Sequence, residues 1–228
     1  MDIGVFGATG VIGGAVVAEA EARGHRVTAF TRSAARFPAE PGGVAWRVAD
    51  ILDPESVAAA IEGLDLVVNA INAGEDIPQQ IANAQVLPAA ARSLLAALER
   101  HDSVRPIRLL VVGGGGTLEL RPGVRLVDDE EALRTTLTEV LRVPLEYRQV
   151  VLAQAEALDL YRLSNRRWTY VSPSTGRINS GARTGRYRTG ADSVIRAGEL
   201  TAQDLAVALL DEAELPRHVQ RRFAVAAA

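Results

Sequence analysis

Ile3-Gly4-Val5-Phe6-Gly7-Ala8-Thr9-Gly10-Val11-Ile12-Gly13-Gly14 reads as a short buried strand running into a glycine-spaced turn and the opening of a helix. The strand, Ile3 to Phe6, is apolar and too short for a helix, whereas Val11 to Arg23 is helical in pattern and stops at Gly24. Between them the G-x-x-G-x-x-G spacing gives each glycine a task. Gly7 permits the tight turn, Gly10 lets the backbone approach a pyrophosphate, and Gly13 lets the helix pack closely on the sheet. The helix N-terminus adds unpaired N–H groups and the positive end of its dipole, which together favour an anion. A tight turn with no ligand has the same glycines, so the reading depends on what surrounds it.

Outward from this turn, short β-branched runs alternate with longer Ala-rich segments of helical period, the pattern of stacked βαβ units with a parallel sheet. Further strands are expected at Val27–Phe30, Val44–Val48, Leu66–Val68, Leu109–Val112 and Thr169–Val171. Asp53-Pro54-Glu55 caps a helix over Val57–Ile61, and longer helices are expected at about Asn83–Glu99, Asp128–Leu141 and Leu145–Leu163. A last helix, capped by Thr201 with Asp204 three residues on, runs to about Ala213, and Arg222–Val225 adds a closing edge strand. The stretch Ser174–Arg196 shifts to Gly, Ser, Thr and Arg and reads as an irregular excursion of the length that often covers a site. The expected fold is therefore α/β, a Rossmann-like doubly wound parallel sheet in one domain over residues 1–228, with about 174–228 forming a small C-terminal lobe on the substrate side.

Composition narrows the chemistry. The 228 residues suit one domain, and 48% hydrophobic with 23% charged residues is the balance of a globular chain. A net charge of -3 offers no basic field for phosphate backbones, so nucleic acid is not expected as a partner. Nor is a membrane, because no apolar run approaches the ~20 residues of a span. With no basic, cleavable leader at the N-terminus, a cytoplasmic protein is expected. Cysteine is absent, and His25, His101 and His218 form no spaced pair, so no metal site is expected. All 25 basic residues are arginine, which excludes every mechanism that needs a lysine amine.

The end of the second strand distinguishes dinucleotides, since an acid there binds a ribose hydroxyl and an arginine accepts a 2'-phosphate. Thr31-Arg32-Ser33 supplies an arginine and no carboxylate, which favours NADP(H) over NAD(H); the other reading of Arg32 is a solvated surface cation, and Arg36 is a second candidate. Asp50 and Ile51, after the third strand, either flank an adenine, as acceptor and ring cover, or serve the next helix as its cap. Asn69-Ala70-Ile71-Asn72-Ala73-Gly74 ends the fourth strand beside the glycine turn, at the carboxyl edge where such sheets hold ligands.

Taken in order, the GATGVIGG turn, Asp50-Ile51-Leu52-Asp53, Val112-Gly113-Gly114-Gly115-Gly116-Thr117-Leu118-Glu119 and Trp168-Thr169-Tyr170-Val171-Ser172-Pro173 resemble the NAD(P)H-binding family of NADH-flavin reductase type. Its members are atypical short-chain dehydrogenase/reductase proteins, related in fold to NmrA-like proteins and to flavin/biliverdin reductase. The resemblance continues through Arg183-Thr184-Gly185-Arg186-Tyr187-Arg188 to Arg222-Phe223 and so spans nearly the whole chain. It implies that Gly7, Ala8, Thr9, Gly10, Val11 and Ile12 line the pyrophosphate and Arg32 meets the 2'-phosphate. It further implies that Asp50 and Ile51 flank the adenine, that Ala70, Ile71 and Asn72 lie by the ribose, and that Gly113, Gly114, Ser172 and Pro173 lie on the nicotinamide side.

A Tyr-x-x-x-Lys dyad, in which the ammonium lowers the phenol pKa for proton transfer, cannot exist here: Tyr147 is followed four residues on by Val151 and Tyr161 by Asn165. Flavin or quinone reduction does not need it, because hydride passes directly between rings and the protein supplies alignment and dryness. Thr117 and Tyr170 are the candidate catalytic groups, each with a plainer reading, a turn cap for Thr117 and a core phenol for Tyr170. Gly113–Gly116 is costly in chain entropy and invites close approach of a ligand, or forms a surface loop. Arg177, Arg183, Arg186 and Arg188 form either a lid over an anionic substrate such as FMN or another flavin, or a solvated loop. The expected partner is a small-molecule hydride acceptor, and the protein a homodimer or monomer. Two other functions fit the same residues: an NmrA-like sensor that binds NADP(H) without turnover, and a nucleotide-sugar epimerase-like enzyme, which suffers most from the missing lysine.

Overall fold

β-Branched runs of four to six residues, bounded by glycine or polar turns, become strands, and the Ala-rich stretches between them become the helices that cover both faces. The computed structural model describes residues 1–101, 106–174 and 176–228. Within these, β1 (Asp2–Phe6), α1 (Val11–Ala22), β2 (Arg26–Thr31), β3 (Ala45–Val48), α2 (Pro54–Ile61) and β4 (Leu66–Asn69) form the first half. After α3 (Ile77–Ala82) and α4 (Val86–His101) come β5 (Arg108–Val112), the small hairpin β6 (Glu119–Arg121) and β7 (Val124–Arg125), α5 (Glu130–Thr135) and α6 (Arg148–Leu163). The chain ends with β8 (Trp168–Pro173), β9 (Ile178–Asn179), β10 (Tyr187–Gly190), β11 (Leu200–Thr201), α7 (Ala202–Glu214) and β12 (Arg221–Ala227).

Among the described residues the main sheet has eight strands in the order β10-β12-β8-β5-β4-β1-β2-β3, all parallel except β10. β1 lies between β2 and β4, Val5 facing Ala29 on one side and Val68 on the other, so the strand order reverses at the carboxyl end of β1. Strand alternation divides the core. Ile3 and Val5 face Val16, Ala20, Leu205 and Leu209 of α1 and α7, while Phe6, Val67 and Leu109 face Val57, Leu94 and Leu158 of α2, α4 and α6.

Three expectations are corrected. Arg221–Ala227 is an interior strand: it pairs in parallel with β8 and antiparallel with β10, and the edge is Tyr187–Gly190, drawn from the excursion read as irregular. The helix expected over Asp128–Leu141 is interrupted, α5 ending at Thr135 and a wider π-turn running from Thr136 to Leu141 before Arg142 turns left-handed at φ 56°. The helix expected from about Asn83 to Glu99 starts at Val86, after a turn over 83–85 that separates it from the short α3 before it.

The excursion is fastened rather than loose. Thr184 N and Gly185 N donate to Asp204 Oδ1 at 2.8 Å each, the Thr184 hydroxyl donates to Asp204 Oδ2 at 2.7 Å, and Tyr187 Oη donates to Asp211 at 2.6 Å. Arg183 reaches across to Glu19 of α1 at 2.7 Å, a carboxylate that also holds Arg23. Thr175, inside the excursion, lies outside the described residues. Below the sheet, buried Arg108 pairs with buried Glu212 and donates to Thr169 Oγ1 at 2.9 Å, and Glu212 also accepts from His218 Nδ1 at 2.8 Å and His218 N at 2.9 Å.

Candidate active site

The switch point between β1 and β4 is built from glycine. Gly7 sits at φ +81°, and a Cβ there would lie 2.5 Å from the Ala70 carbonyl oxygen, so β4 itself requires glycine at this position. A Cβ on Gly13 would lie 2.1 Å from Gly7 O, which is how α1 comes to start directly behind the strand. Gly10 N donates to Gly7 O at 2.9 Å and Gly14 N to Gly10 O at 2.8 Å, closing the turn. Thr9, Gly10 and Val11 are exposed, Ile12 half-buried and Ala8 buried, and the first turn of α1 contains no acid. The N–H groups of that first turn have no carbonyl one turn back to bind, and no side chain caps the helix, so an anion is the natural partner.

β4 completes the crevice. Ala70 N donates to Phe6 O at 3.0 Å, Ile71 N to Asn69 Oδ1 at 3.2 Å, and exposed Asn72 folds its Oδ1 onto Ala73 N at 2.8 Å. The Ala70–Asn72 segment therefore stands beside Gly7 as expected. Gln80, which sequence reading missed in its polar run Gln79-Gln80, is buried beneath this loop: its Nε2 donates to Gly74 O at 3.4 Å and its Oε1 accepts from Tyr147 Oη at 3.1 Å. Burial pushes the Tyr147 phenol above its ordinary pKa, so this hydroxyl stays protonated.

On the other side of β1, Arg32 follows the last residue of β2, is exposed, and has no ion pair or hydrogen bond among the described residues. Arg36, by contrast, pairs with Glu75, and Ser33 accepts from Ala35 N at 3.3 Å. Arg32 is thus the cation left for a ligand. Asp50 is exposed and accepts from Leu52 N at 3.0 Å, whereas the cap of α2 is Asp53, which accepts from Glu55 N at 3.0 Å. Ile51, expected to cover the adenine, is buried in the α2–α4 layer with Phe6 and Val57.

The nicotinamide side departs further from expectation. The space beside each glycine of Gly113–Gly116 is filled by the protein itself. Added Cβ atoms would lie 1.8 Å from Tyr170 Cε1, 2.0 Å from Gln154 Oε1, 2.7 Å from Pro173 O and 2.3 Å from Val151 Cγ1, in chain order. The run exists so that α6 and β8 can close on the end of β5. Thr117, expected at the ligand, is wholly buried and donates to Gly114 O at 3.1 Å, the turn-capping alternative. Tyr170 is likewise in the core, its hydroxyl donating to Gln154 O at 3.3 Å, and burial raises its pKa far above the range in which it would trade protons. Both side chains are thus buried away from the open edge, in the arrangement of the plainer reading of each, a turn cap for Thr117 and a core phenol for Tyr170. Pro173 and Ser172 are buried at the end of β8, and the Ser172 hydroxyl has no hydrogen-bond partner among the described residues.

These residues fit a nicotinamide dinucleotide: a tight glycine turn with Thr9, Gly10 and Val11 exposed, an uncapped helix end and an unengaged arginine on the adenine side. Comparison with known proteins agrees. The profile of an NAD(P)H-binding family matches residues 7–216. YwnB of Bacillus subtilis, itself uncharacterized, is 35% identical over 230 residues, covering 99% of this chain and 98% of its own. A Burkholderia pseudomallei structure, provisionally named an exported protein, superposes with a TM-score of 0.80 at 34% identity over 99% of each chain. One from Streptococcus pneumoniae, provisionally named an NADH-flavin reductase, has a TM-score of 0.80 at 27% identity over 100% of each. The turn at Gly7, the reversal of strand order beside it and the full-length relative at 35% identity lead to one conclusion, that the chain belongs to the NAD(P)H-binding family.

Proposed function

We propose that the protein is an NADPH-dependent reductase that passes hydride directly to a flavin or quinone. The observation that carries this reading is the exposed, unengaged Arg32 at the end of β2 beside the uncapped α1, in a chain with no lysine to build a Tyr-Lys proton relay. When bound, reduced nicotinamide supplies a hydride, two electrons with one proton, which a two-electron acceptor takes up together with a proton from solvent. The first-turn N–H groups of α1 hold the pyrophosphate, and Arg32 offers a planar fork to the 2'-phosphate. Ala70, Ile71 and the loop that Gln80 and Tyr147 brace from below shape the floor under the ribose and ring.

Burial of Thr117 and Tyr170 removes side-chain acids from the acceptor end. That suits ring-to-ring hydride transfer, and it equally suits a second reading, an NADP(H)-binding sensor without turnover. Anaerobic mixing of the protein and NADPH with FMN, riboflavin or a quinone separates the two. Bleaching of an acceptor supports the reductase; tight nucleotide binding with no acceptor reduced above background supports the sensor. Among the described residues no helix is long and apolar enough to cross a membrane, and we place the activity in the cytoplasm, where reduced nicotinamides are regenerated.

A further inference from the structure

α6 lays one stripe of its surface on the rest of the fold, and Val150, Val151, Leu158 and Tyr161 are buried along it at helical spacing. Gln154 falls in the middle of the same stripe, three or four residues from Val150, Val151 and Leu158, yet it is polar and only half-buried. Exposure on the inward face of a packed helix means that a crevice reaches it there. Two contacts place this part of α6 at the carboxyl edge of the sheet. A Cβ on Gly114, two residues beyond the end of β5, would lie 2.0 Å from Gln154 Oε1 and 3.0 Å from its Nε2, so the amide lies against the turn that follows β5. Two turns earlier on the same helical face, Tyr147 donates to Gln80 beneath Gly74, in the loop that follows β4. β4 and β5 are the strands next along the edge from Gly7, on the side away from Arg32.

The residue is held while its amide is unspent. Gln154 O accepts from Tyr170 Oη at 3.3 Å, and Gly113 N donates to Val171 O at 2.9 Å, which fixes the helix and the end of β5 against β8. Neither end of the side-chain amide has a hydrogen-bond partner among the described residues, and neither is sealed from solvent as the Ser172 hydroxyl is. The other polar side chains at the ends of β4 and β5 are engaged. Asn69 Oδ1 accepts from Ile71 N, Asn72 Oδ1 from Ala73 N, Gln80 bonds both Gly74 and Tyr147, and the Thr117 hydroxyl donates to Gly114 O. A half-buried amide that opens on the ligand-holding edge of such a sheet is satisfied by what binds there.

We infer that Gln154 is a specificity residue that pairs with the amide edge of a ring bound at the end of β5. Its carboxamide offers N–H donors beside a carbonyl acceptor, the complement of a carbonyl next to an N–H. Two rings of the proposed reaction carry such an edge, the nicotinamide in its carboxamide and a flavin in its imide, whereas a quinone carries carbonyls alone. The flavin source rests on the reductase reading of the same site; the nicotinamide source does not. Binding measurements that need no turnover tell them apart: calorimetry with NADPH, and quenching of riboflavin fluorescence by protein saturated with NADP+. Gln154→Met, similar in length and without the amide, should weaken NADPH, riboflavin or both about tenfold. It should leave 2'-phospho-ADP-ribose, the same nucleotide without the nicotinamide ring, within about twofold. A loss confined to NADPH assigns the amide to the cofactor, and a loss confined to riboflavin, with the KM for menadione unchanged, assigns it to the flavin. Gln154→Glu keeps the shape, removes the N–H donors and should reproduce the pattern. Unchanged affinity for both rings, or a loss shared by 2'-phospho-ADP-ribose, would overturn the inference. Gln154-dependent binding of NADPH by a protein that reduces no acceptor would retain it and reject the reductase.

Discussion

The two glycine-rich turns at the carboxyl edge use the same residue for opposite ends. At Gly7–Gly13 glycine brings β1, β4 and α1 together while leaving Thr9, Gly10 and Val11 exposed around an uncapped helix end. At Gly113–Gly116 it lets Tyr170, Gln154, Pro173 and Val151 occupy the space where side chains would be. The contrast extends along the sheet. On the β1–β3 side the polar groups at the edge, Arg32 and Asp50, face solvent; on the β5–β12 side Thr117 is buried and donates to Gly114 O, and the Arg222 guanidinium is buried against Thr117 O. A glycine run therefore reports that something comes close, and only the surrounding packing says whether it is ligand or protein.

Substitutions in the two regions should separate stability from affinity. The largest effect is expected in the closed half, at Glu212→Gln. Arg108 has two other buried nitrogens without partners, so removing the carboxylate charge strands a buried guanidinium and should cost about 3–5 kcal/mol in urea unfolding. Burial pushes the Glu212 carboxyl up, but hydrogen bonds from the His218 side chain and from the His218 and Arg217 backbones, with the Arg108 charge, hold it below the ordinary carboxylate range. Its contribution is then complete above the unfolded carboxylate pKa of about 4.3 and is lost as pH falls through the lower folded value. Acid titration of the native protein should show that loss, and Glu212→Gln should flatten it.

Next comes Gly113→Ala, whose Cβ would overlap the Tyr170 ring. It should lower stability by about 2–3 kcal/mol, a fall of roughly 6 °C in Tm, with NADPH affinity of the folded protein changed less than about threefold. Gly7→Ala should lower stability as well, since its Cβ meets the Ala70 backbone, and should add a loss of affinity that Gly113→Ala lacks. A side chain at φ +81° against Ala70 O displaces the turn, and NADPH binding should weaken about thirtyfold, close to 2 kcal/mol, in calorimetry. If the two alanines behaved alike, the distinction between an open and a closed turn would fail.

Much of the first half was legible in the sequence because its signals are local. β1, the glycine turn, α1 and the Asp53-Pro54 cap each follow from spacing within a dozen residues, and Thr201 accepts from Asp204 N at 3.0 Å as its pattern required. The second half depends on partners remote in sequence. Tyr187-Arg188-Thr189-Gly190 has no apolar alternation, and it becomes a strand because β12 offers it an unpaired edge. The occupants of the Gly113–Gly116 space come from α6 and β8, roughly 35 to 60 residues away in the chain, so no local pattern announces them. Tyr170 and Thr117 looked accessible because strand ends and turns usually are; here α6 closes over both. Gln80 left no signal at all, since a Gln-Gln pair near a helix start reads as surface.

Arg32 gives the most direct test of the open half. Calorimetric titration of the native protein and of Arg32→Ala with NADPH and with NADH is the measurement to make. The account predicts tighter binding of NADPH by the native protein and a loss of about tenfold, near 1.4 kcal/mol, for NADPH alone in the variant. Equal losses for the two nucleotides, or a native protein that binds them alike, would contradict it.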